Sequence, residues 1–317
     1  MAVVDKTKNI EDIVFVSFKK KLQKYLNSYQ IKKIEKAFEL AKDAHHGQKR
    51  QSGENYITHP LDAAAYLADY ELDHETIMAA ILHDVIEDTT ISLENLEEKF
   101  GKKVTELVDG VSKLDKINFN SKEEADAANL RKMILAMSND IRVLLIKLAD
   151  RRHNLTTINV LKKPKAKRIA RETLEIYAPL ALRLGIHSLS TELENLSFQT
   201  YYPLRHSVLS ANIDKARGNR KLLMNKIQTE VTKKLNTESI KGQTKAREKH
   251  AYGIYKKMKL KELKFSQIHD IFGVRIMTES VDLCYRALGC IHNLYTPIPG
   301  RFKAVSYTHL RAHETLL

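Results

Sequence analysis

The chain is poor in cysteine and has no tryptophan. Among its 317 residues, only Cys284 and Cys290 are cysteines. Two cysteines alone offer neither a disulfide framework nor the paired spacing of a zinc site. We therefore predict that both are reduced thiols in the core of a cytoplasmic protein.

Long apolar runs are also missing. No stretch approaches the roughly 20 apolar residues that a membrane-spanning helix needs. The apolar run at residues 13–18 follows Glu11 and Asp12, and no small-residue cleavage site comes after it. It is not typical of a signal peptide, so the sequence predicts no membrane partner.

Acidic residues are outnumbered by basic ones, 39 to 53, and the net charge is +14. The excess is concentrated in residues 211–264, where 16 Lys and Arg stand against 5 Asp and Glu. This region is either a solvated face of a basic helix or a surface that attracts the phosphates of a nucleotide or of RNA. No DNA partner is predicted, and a ribosomal or regulatory partner is left open.

A length of 317 residues predicts about two domains, and apolar periodicity predicts that the chain is mainly α-helical. Up to about residue 195, apolar residues recur at helical spacing, so the N-terminal domain is predicted to be all-α. A basic helix follows at residues 205–235. A β-branched run ending at Met277 and an amphipathic helix at residues 281–295 then indicate the start of an α/β domain.

A polar loop in the first domain is suited to binding phosphate. A helix runs from residue 31 into His45, residues 45–54 form a loop with two glycines, and His59 opens the next helix. Within this loop, the guanidinium of Arg50, the hydroxyl of Ser52 and the backbone N–H groups can all meet phosphate oxygens.

Four residues spread over the first half form a candidate metal site: His59, His83, Asp84 and Asp150. Two imidazoles and two carboxylates suit a borderline-to-hard divalent ion such as Mn²⁺, Fe²⁺ or Zn²⁺. Each lies in or beside an apolar helical segment, where an unpaired charge would be costly. Asp73 is predicted to cap the helix that carries His83 and Asp84, and a helix at residues 132–148 is predicted to deliver Asp150.

Further polar residues accompany these candidate ligands. Asp84, Glu87 and Asp88 share one helical turn, so they repel one another unless they stay in water or a cation lies among them. The apolar residues of the same turn favour a bound metal with acids directed at a substrate. Asn154 and Thr157 follow Asp150 by one and two turns, on the same face if that helix continues.

The motifs around these residues resemble the RelA/SpoT family, and SpoT-type bifunctional (p)ppGpp hydrolase/synthetases most. The resemblance lies in the runs HHGQKRQSGENYITHP, LHDVIEDT, LVDGVSKL, KLADRRHN and RETLEIYAPLALRLG. It extends from about residue 20 to Lys303. The implied fold is an all-helical HD-type phosphohydrolase domain followed by a partial α/β, nucleotidyltransferase-like synthetase domain. The implied boundaries are residues 1–200 with linking helices, and residues 201–303.

The resemblance implies that the first domain removes the 3′-pyrophosphate of guanosine tetra- or pentaphosphate with Mn²⁺, giving GDP or GTP. In this interpretation, the metal ligands are His59, His83, Asp84 and Asp150, and the catalytic acids are Glu87 and Asp88. The substrate-binding residues are Arg50, Ser52, Lys113, Asn154 and Thr157. Gln51 stands where family members often carry Lys, so one phosphate-binding charge is missing.

In the second domain, the resemblance implies a synthetase site that is incomplete. The matching residues are Arg247, Lys249, Lys257, Asp270, Arg301 and Lys303. Ala246 replaces the usual Gly, and residues 304–317 show no family likeness and are expected to be non-native. Mg²⁺ would bind only if this site were complete.

Synthetase activity is therefore expected to be absent. Incubation with ATP and GDP should give no (p)ppGpp when the nucleotides are separated by chromatography. Any (p)ppGpp formed would show a competent synthetase site.

Two alternatives remain at this point. The same HD chemistry could act on another nucleotide, because the metal ligands alone do not specify guanosine. A non-catalytic RNA- or ribosome-binding module would instead use the basic residues 211–264, and its binding would depend on salt and survive loss of metal.

Overall fold

A computed structural model describes residues 10–115, 140–268 and 271–297. These residues fall into two compact units, one within Met1–His206 and one within Ser207–Leu317. The predicted site residues Asp270, Arg301 and Lys303 lie outside the described residues, as does the segment 304–317.

The first unit is helical throughout its named elements. Its α-helices are α1 (Ile10–Leu22), α2 (Ser28–Ala44), α3 (Thr58–Ala68), α4 (His74–Leu82), α5 (Val85–Asp88), α6 (Leu93–Phe100), α7 (Lys102–Asp115), α8 (Ile141–Thr156), α9 (Lys163–Glu172), α10 (Ala178–Arg183) and α11 (His187–Tyr201). A 3₁₀ turn at Ile158–Val160 follows α8, and a π-helix at Thr173–Tyr177 joins α9 to α10.

Helix α4 lies at the centre of this unit, because α2, α3, α7 and α8 all pack against it. Its side chains from Thr76 to Leu82 are buried. Asp73 caps the helix as predicted, since its carboxylate accepts from the backbone N–H of Thr76 at 3.0 Å. The C-terminal end of α4, which leads into His83, therefore lies deep in the apolar core.

The prediction of one continuous helix through His83 and Asp84 is wrong. Helix α4 ends at Leu82 and α5 begins at Val85. Nδ1 of His83 donates to the carbonyl oxygen of Ala80 at 2.8 Å, and this bond competes for an oxygen that a continuing helix would use. His83 and Asp84 consequently lie at the junction of two helices.

Helix α8 also differs from its predicted bounds of 132–148. It begins at Ile141, capped by Asp140, and continues to Thr156, so Asp150 lies inside the helix. Residues 132–139 lie outside the described residues. Gly110 allows α7 to approach α8 closely, because a Cβ there would lie 2.8 Å from Cγ2 of Val143.

The second unit contains most of α12 (Pro203–Thr237), followed by β1 (Gly242–Glu248), α13 (Ala251–Leu260), β2 (Phe272–Thr278) and α14 (Val281–Leu294). The strands pair antiparallel, from Gly242 opposite Thr278 to Glu248 opposite Phe272. Strand β1 was not predicted, because its polar, largely exposed sequence lacks an alternating apolar pattern. The predicted fold class, mainly α with a small strand-containing part, is confirmed.

A small core of Val231, Leu235, Ile240, Ala287 and Cys290 lies under this sheet region. Both cysteines are free, but only Cys290 is buried, whereas Cys284 is exposed. The prediction of two core thiols is therefore half wrong. None of the helices in residues 10–115, 140–268 and 271–297 has both the length and the hydropathy needed to cross a membrane.

Candidate metal centre and active site

The fold brings the four predicted ligands together from three places in the sequence. His59 lies in the first turn of α3, His83 and Asp84 form the α4–α5 junction, and Asp150 lies in α8. Nε2 of His59 is 3.1 Å from Oδ1 of Asp150 and 3.7 Å from Oδ2 of Asp84. Nε2 of His83 is 3.1 Å from Oδ1 of Asp84 and 3.9 Å from Oδ1 of Asp150. Each imidazole therefore faces both carboxylates.

Three of the four residues are almost fully buried. Side-chain exposure is 2% for His59, 1% for His83 and 4% for Asp150, against 18% for Asp84. One donor atom from each of the three buried residues lies within 4.8 Å of the other two. Such a cluster of imidazole and carboxylate donors suits a divalent metal ion, and Asp84 adds an oxygen on its more open side.

Nε2 of His83 provides a direct test of whether a cation fits. The hydrogen on Nδ1 is donated to Ala80, which leaves Nε2 as the nitrogen that faces the carboxylates. Nε2 is buried and has no hydrogen-bond partner among the described residues. A buried nitrogen lone pair beside carboxylate oxygens is costly unless a positive charge lies between them. A metal ion meets this requirement.

The directions of the pKa shifts in this cluster also indicate that the two carboxylates favour a positive charge beside them. Burial lowers the pKa of His83, but Asp84 and then Asp150 outweigh burial and raise it. Burial likewise favours protonation of Asp150, yet the Lys147 ammonium and the neighbouring imidazoles hold its pKa well below the usual range. The carboxylates are thus kept ionised, as metal ligands must be.

His59 is oriented by a second histidine that was not predicted. Its Nδ1 lies 2.8 Å from Nδ1 of His153. Burial, with help from His59 and Arg50, lowers the pKa of His153 to about 3, so the ring is neutral. If Nε2 of His59 binds a cation, its Nδ1 carries the hydrogen and donates to His153.

Asp150 is held by two neighbours on α8. The buried Lys147 ammonium lies 2.5 Å from Oδ2, and the Asn154 side-chain amide donates to Oδ1. Oδ1 is also the oxygen that faces both imidazoles. Asn154, predicted to contact substrate, therefore also orients a candidate metal ligand.

The two predicted catalytic acids lie on the exposed side of the cluster. Glu87 accepts a hydrogen bond from the Ser112 hydroxyl. Asp88 accepts from the hydroxyl of Tyr56, which also lies 2.8 Å from Oδ2 of Asp84. Both acids thus lie beside the cluster, where a water molecule can reach them.

A cavity of about 470 Å³ opens from the cluster, within the size range of sites for small ligands. Its lining includes most of the predicted site residues: Arg50, Ser52, His59, Asp84, Glu87, Asp88, Asp150, Asn154 and Thr157. Lys49, Lys147 and Lys165 add positive charge, and Val160, Leu161 and Ile169 add an apolar side. One cavity thus combines candidate metal ligands, acids and cations.

Arg50 joins the loop to the floor of this cavity. Its guanidinium donates to Oδ1 of Asn154 at 2.6 Å and lies 5.9 Å from the centre of the Tyr56 ring. Gly53, at φ +90°, allows the tight turn in which its N–H bonds to the carbonyl of Arg50. The backbone of this loop therefore presents Arg50 and Ser52 to the same space.

Lys113 does not line this cavity. Its ammonium lies 2.5 Å from the carboxylate of Asp109, one turn earlier in α7, and its side chain is 69% exposed. It lines a separate, smaller cavity with Asp140 and Arg142. Lys113, which was predicted to lie close to the substrate pocket, is thus not among the residues that line this cavity.

The predicted basic residues of the second unit lie along one short stretch. Arg247 is in β1, Lys249 follows this strand, and Lys257 is in α13. The backbone N–H of Lys249 bonds to the carbonyl of Ile271, which fixes the end of the sheet.

Tyr56, His153 and Lys147 are the contributors that sequence reasoning missed. The spacing of Lys147 and His153, each three residues from Asp150, places all three on one face of a helix and could have signalled a shared role. Tyr56 stands three residues before His59, inside a run already singled out.

Family models match both halves of the chain. A model of the HD domain matches residues 37–187, and a model described as a region found in RelA/SpoT proteins matches residues 246–314. The second match continues past Lys303, where the sequence likeness was expected to end. The bifunctional (p)ppGpp synthase/hydrolase SpoT of Escherichia coli K12 is 53% identical over 290 residues, which cover 92% of this chain. The chain belongs to the RelA/SpoT family.

Other RelA/SpoT relatives carry related names. A guanosine-3′,5′-bis(diphosphate) 3′-pyrophosphohydrolase of Aquifex aeolicus is 44% identical over 91% of this chain, and a GTP pyrophosphokinase of Myxococcus xanthus is 46% identical over 85%. The chain spans 41% of the Escherichia coli and Aquifex proteins and 36% of the Myxococcus protein. A solved structure of a metazoan SpoT orthologue described as hydrolysing ppGpp matches 61% of this chain and 98% of its own, at 23% identity and a TM-score of 0.36.

Proposed function

We propose that this chain is a cytoplasmic, Mn²⁺-dependent hydrolase that removes the 3′-pyrophosphate of (p)ppGpp. The observation that carries the proposal is the convergence of His59, His83, Asp84 and Asp150 at one end of a cavity lined by cations and acids. The names of its SpoT relatives support (p)ppGpp as the substrate. We place the hydrolase in residues 1–200 and keep residues 201–303 as the synthetase-related domain.

These four residues would hold a divalent cation, which would supply positive charge to polarise a phosphoryl oxygen and to make nearby water more acidic. The buried imidazoles and ionised carboxylates meet its ligand preferences, and the mixed oxygen and nitrogen set suits Mn²⁺. His153 and Lys147 fix the orientation of His59 and Asp150. The side chains of the cavity are thus arranged in advance to stabilise the negative charge that develops in the transition state.

The exposed acids are positioned to move the proton of the attacking water. In hydrolysis, the water oxygen forms a bond to the phosphorus next to the ribose, and the bond from that phosphorus to the 3′ oxygen breaks. Asp88, with Glu87 beside it, accepts the proton that water loses. The 3′ oxygen takes up a proton and becomes a hydroxyl, so the products are GDP or GTP and pyrophosphate.

The remaining lining residues bind the nucleotide. Arg50 and Ser52 offer donors to phosphate oxygens, while Asn154 on α8 and Thr157, which directly follows α8, contact the nucleotide. The apolar side at Val160 can cover the face of the base. The negative charge of (p)ppGpp is matched by the basic residues around the cavity.

Replacing Arg50 should weaken substrate binding more than catalysis. A hydrogen bond to a charged group contributes about 1.5–3 kcal/mol, so Arg50→Ala should raise KM by about 10–100-fold. The value of kcat should change less than KM, because Arg50 reaches the metal ligand Asp150 only indirectly, through Asn154. Steady-state kinetics with ppGpp measure both constants.

Arg183→Ala is the matched control for the loss of a guanidinium. Arg183 is exposed at the end of α10 and does not line the cavity. Its replacement should leave KM unchanged. An unchanged KM in Arg50→Ala would remove Arg50 from the substrate site.

The proposal is tested by measuring pyrophosphate release from ppGpp by the purified chain with Mn²⁺ and after chelation. Release of pyrophosphate and GDP only with the metal would support it. Hydrolysis of other nucleotides at equal rates would favour the broader HD phosphohydrolase interpretation.

A further inference from the structure

One hydroxyl group lies between two carboxylates that have different proposed roles. Oη of Tyr56 is 2.8 Å from Oδ2 of Asp84, a metal ligand, and 2.5 Å from Oδ2 of Asp88, the proton acceptor. A phenol has one hydrogen to donate, so the two carboxylates share a single donor. Without it, two neighbouring negative charges would repel each other and move apart.

The ring of Tyr56 is itself fixed by the loop between α2 and α3. It stacks on the ring of His45 with centroids 4.5 Å apart and an interplanar angle of 19°. His45 donates from Nδ1 to Oε1 of Gln48 at 2.9 Å, and Nε2 of Gln48 donates to the backbone oxygen of Asp88 at 3.2 Å. The loop thus holds Asp88 at two points, its carboxylate through Tyr56 and its main chain through Gln48.

Asp88 needs such support because it is exposed and ends the four-residue helix α5. An exposed carboxylate on so short a helix samples several rotamers. The Tyr56 bond fixes Oδ2, which leaves Oδ1 to accept a proton from water on the cavity side. The same hydroxyl lies beside Oδ2 of Asp84, whereas Oδ1 of Asp84 is the oxygen that lies 3.1 Å from Nε2 of His83.

We propose that Tyr56 is a positioning residue that sets the distance between the metal ligand Asp84 and the proton acceptor Asp88. This inference rests on the proposed hydrolase function. Tyr56 is neither a proposed metal ligand nor a proposed proton acceptor. It acts through the two carboxylates, Asp84 and Asp88, that its hydroxyl contacts.

Tyr56→Phe tests this proposal, because Phe keeps the ring that stacks on His45 and removes only the hydroxyl. Loss of a hydrogen bond that orients a metal ligand typically costs 10–100-fold, so kcat at saturating Mn²⁺ should fall by about that factor. KM should stay nearly constant, because substrate contacts are unchanged. A higher KM with an unchanged kcat would instead make Tyr56 a substrate-binding residue and overturn the proposal.

Tyr66→Phe is the matched control. Tyr66 lies on α3, its hydroxyl bonds to that of Tyr70 at 3.0 Å, and it does not line the cavity. Its replacement should leave kcat, KM and Mn²⁺ affinity unchanged. Circular dichroism should show that both phenylalanine variants keep the wild-type helix content.

A double-mutant cycle asks whether Tyr56 acts through Asp88. In an Asp88→Asn background, Tyr56→Phe should lower kcat by less than about threefold, because the acid that it positions has already been lost. An equal loss in both backgrounds would show that Tyr56 acts independently of Asp88, and would overturn the proposal.

A measurement without substrate separates this inference from the proposed function. The Kd for Mn²⁺, measured by calorimetry, should rise by about tenfold in Tyr56→Phe, because Asp84 loses its donor. An unchanged Kd would overturn the positioning role at Asp84. Failure of the wild-type chain to hydrolyse ppGpp would reject the substrate and leave this Mn²⁺ result to decide the role of Tyr56.

Discussion

Asp84→Asn should lower the turnover of ppGpp by about a thousandfold, since a catalytic metal contributes several kcal/mol and each 1.36 kcal/mol is tenfold in rate. Asn keeps the shape of Asp84 but removes the negative charge that faces both imidazoles. Metal content, measured by elemental analysis after gel filtration, should fall in parallel. The variant should stay folded, because Asp84 is partly exposed and the buried ammonium of Lys147 pairs with Asp150 instead.

Asp150→Asn provides an informative comparison. It should lose turnover to the same extent, but it should also be less stable, because the buried ammonium of Lys147 loses its carboxylate. Breaking a buried ion pair on one side costs about 3–5 kcal/mol. Thermal melts in a chelator should therefore rank the variants as wild type, then Asp84→Asn, then Asp150→Asn. Wild-type turnover and metal content in either variant would contradict the assigned metal site.

The double variant Glu87→Gln, Asp88→Asn should keep its metal and lose its turnover. A positioned acid or base contributes about 10²–10⁴-fold, so kcat should fall within that range. Neither acid is one of the four proposed metal ligands, and both substitutions keep a polar side chain of the same size. Single-turnover kinetics with ppGpp at saturating Mn²⁺ measure the chemical step directly.

The single variants sharpen this prediction. Asp88→Asn should account for most of the loss, because Asp88 shares the hydroxyl of Tyr56 with Asp84, whereas Glu87 is bonded to Ser112 on α7. Loss of bound metal in the double variant would make these acids ligands instead of proton acceptors. A larger effect of Glu87→Gln would assign the proton transfer to Glu87.

Much of the fold and the candidate cluster could be predicted from sequence, because the relevant signals are local. The apolar spacing of α2 and α4 and the cap at Asp73 depend on neighbouring residues only. His59, His83, Asp84 and Asp150 stood out because charged groups in apolar helices need a partner. Three packed helices then bring these residues together.

The errors arise where side chains compete with the backbone or contacts are distant in sequence. The helix break at His83 depends on a hydrogen bond from its imidazole to Ala80, which periodicity does not report. Strand β1 is defined by pairing with β2 and has no apolar pattern of its own. Tyr56 is an ordinary loop tyrosine until the fold places its hydroxyl between Asp84 and Asp88.

Lys113 illustrates the converse problem. Its sequence motif suggested the pocket, but a helix turns successive side chains by about 100°. Its ammonium pairs with Asp109 on the same helix and faces a different cavity. A motif match alone could not determine the direction of this side chain.

The most direct test of the central claim is pyrophosphate release from ppGpp by the purified chain, with Mn²⁺ and with chelator, alongside Asp84→Asn. We predict rapid, Mn²⁺-dependent release of pyrophosphate and GDP by the wild-type chain, and almost none with chelator or with the variant. Equal release by the wild type and Asp84→Asn, or release that persists in chelator, would contradict a metal-dependent hydrolase at this site.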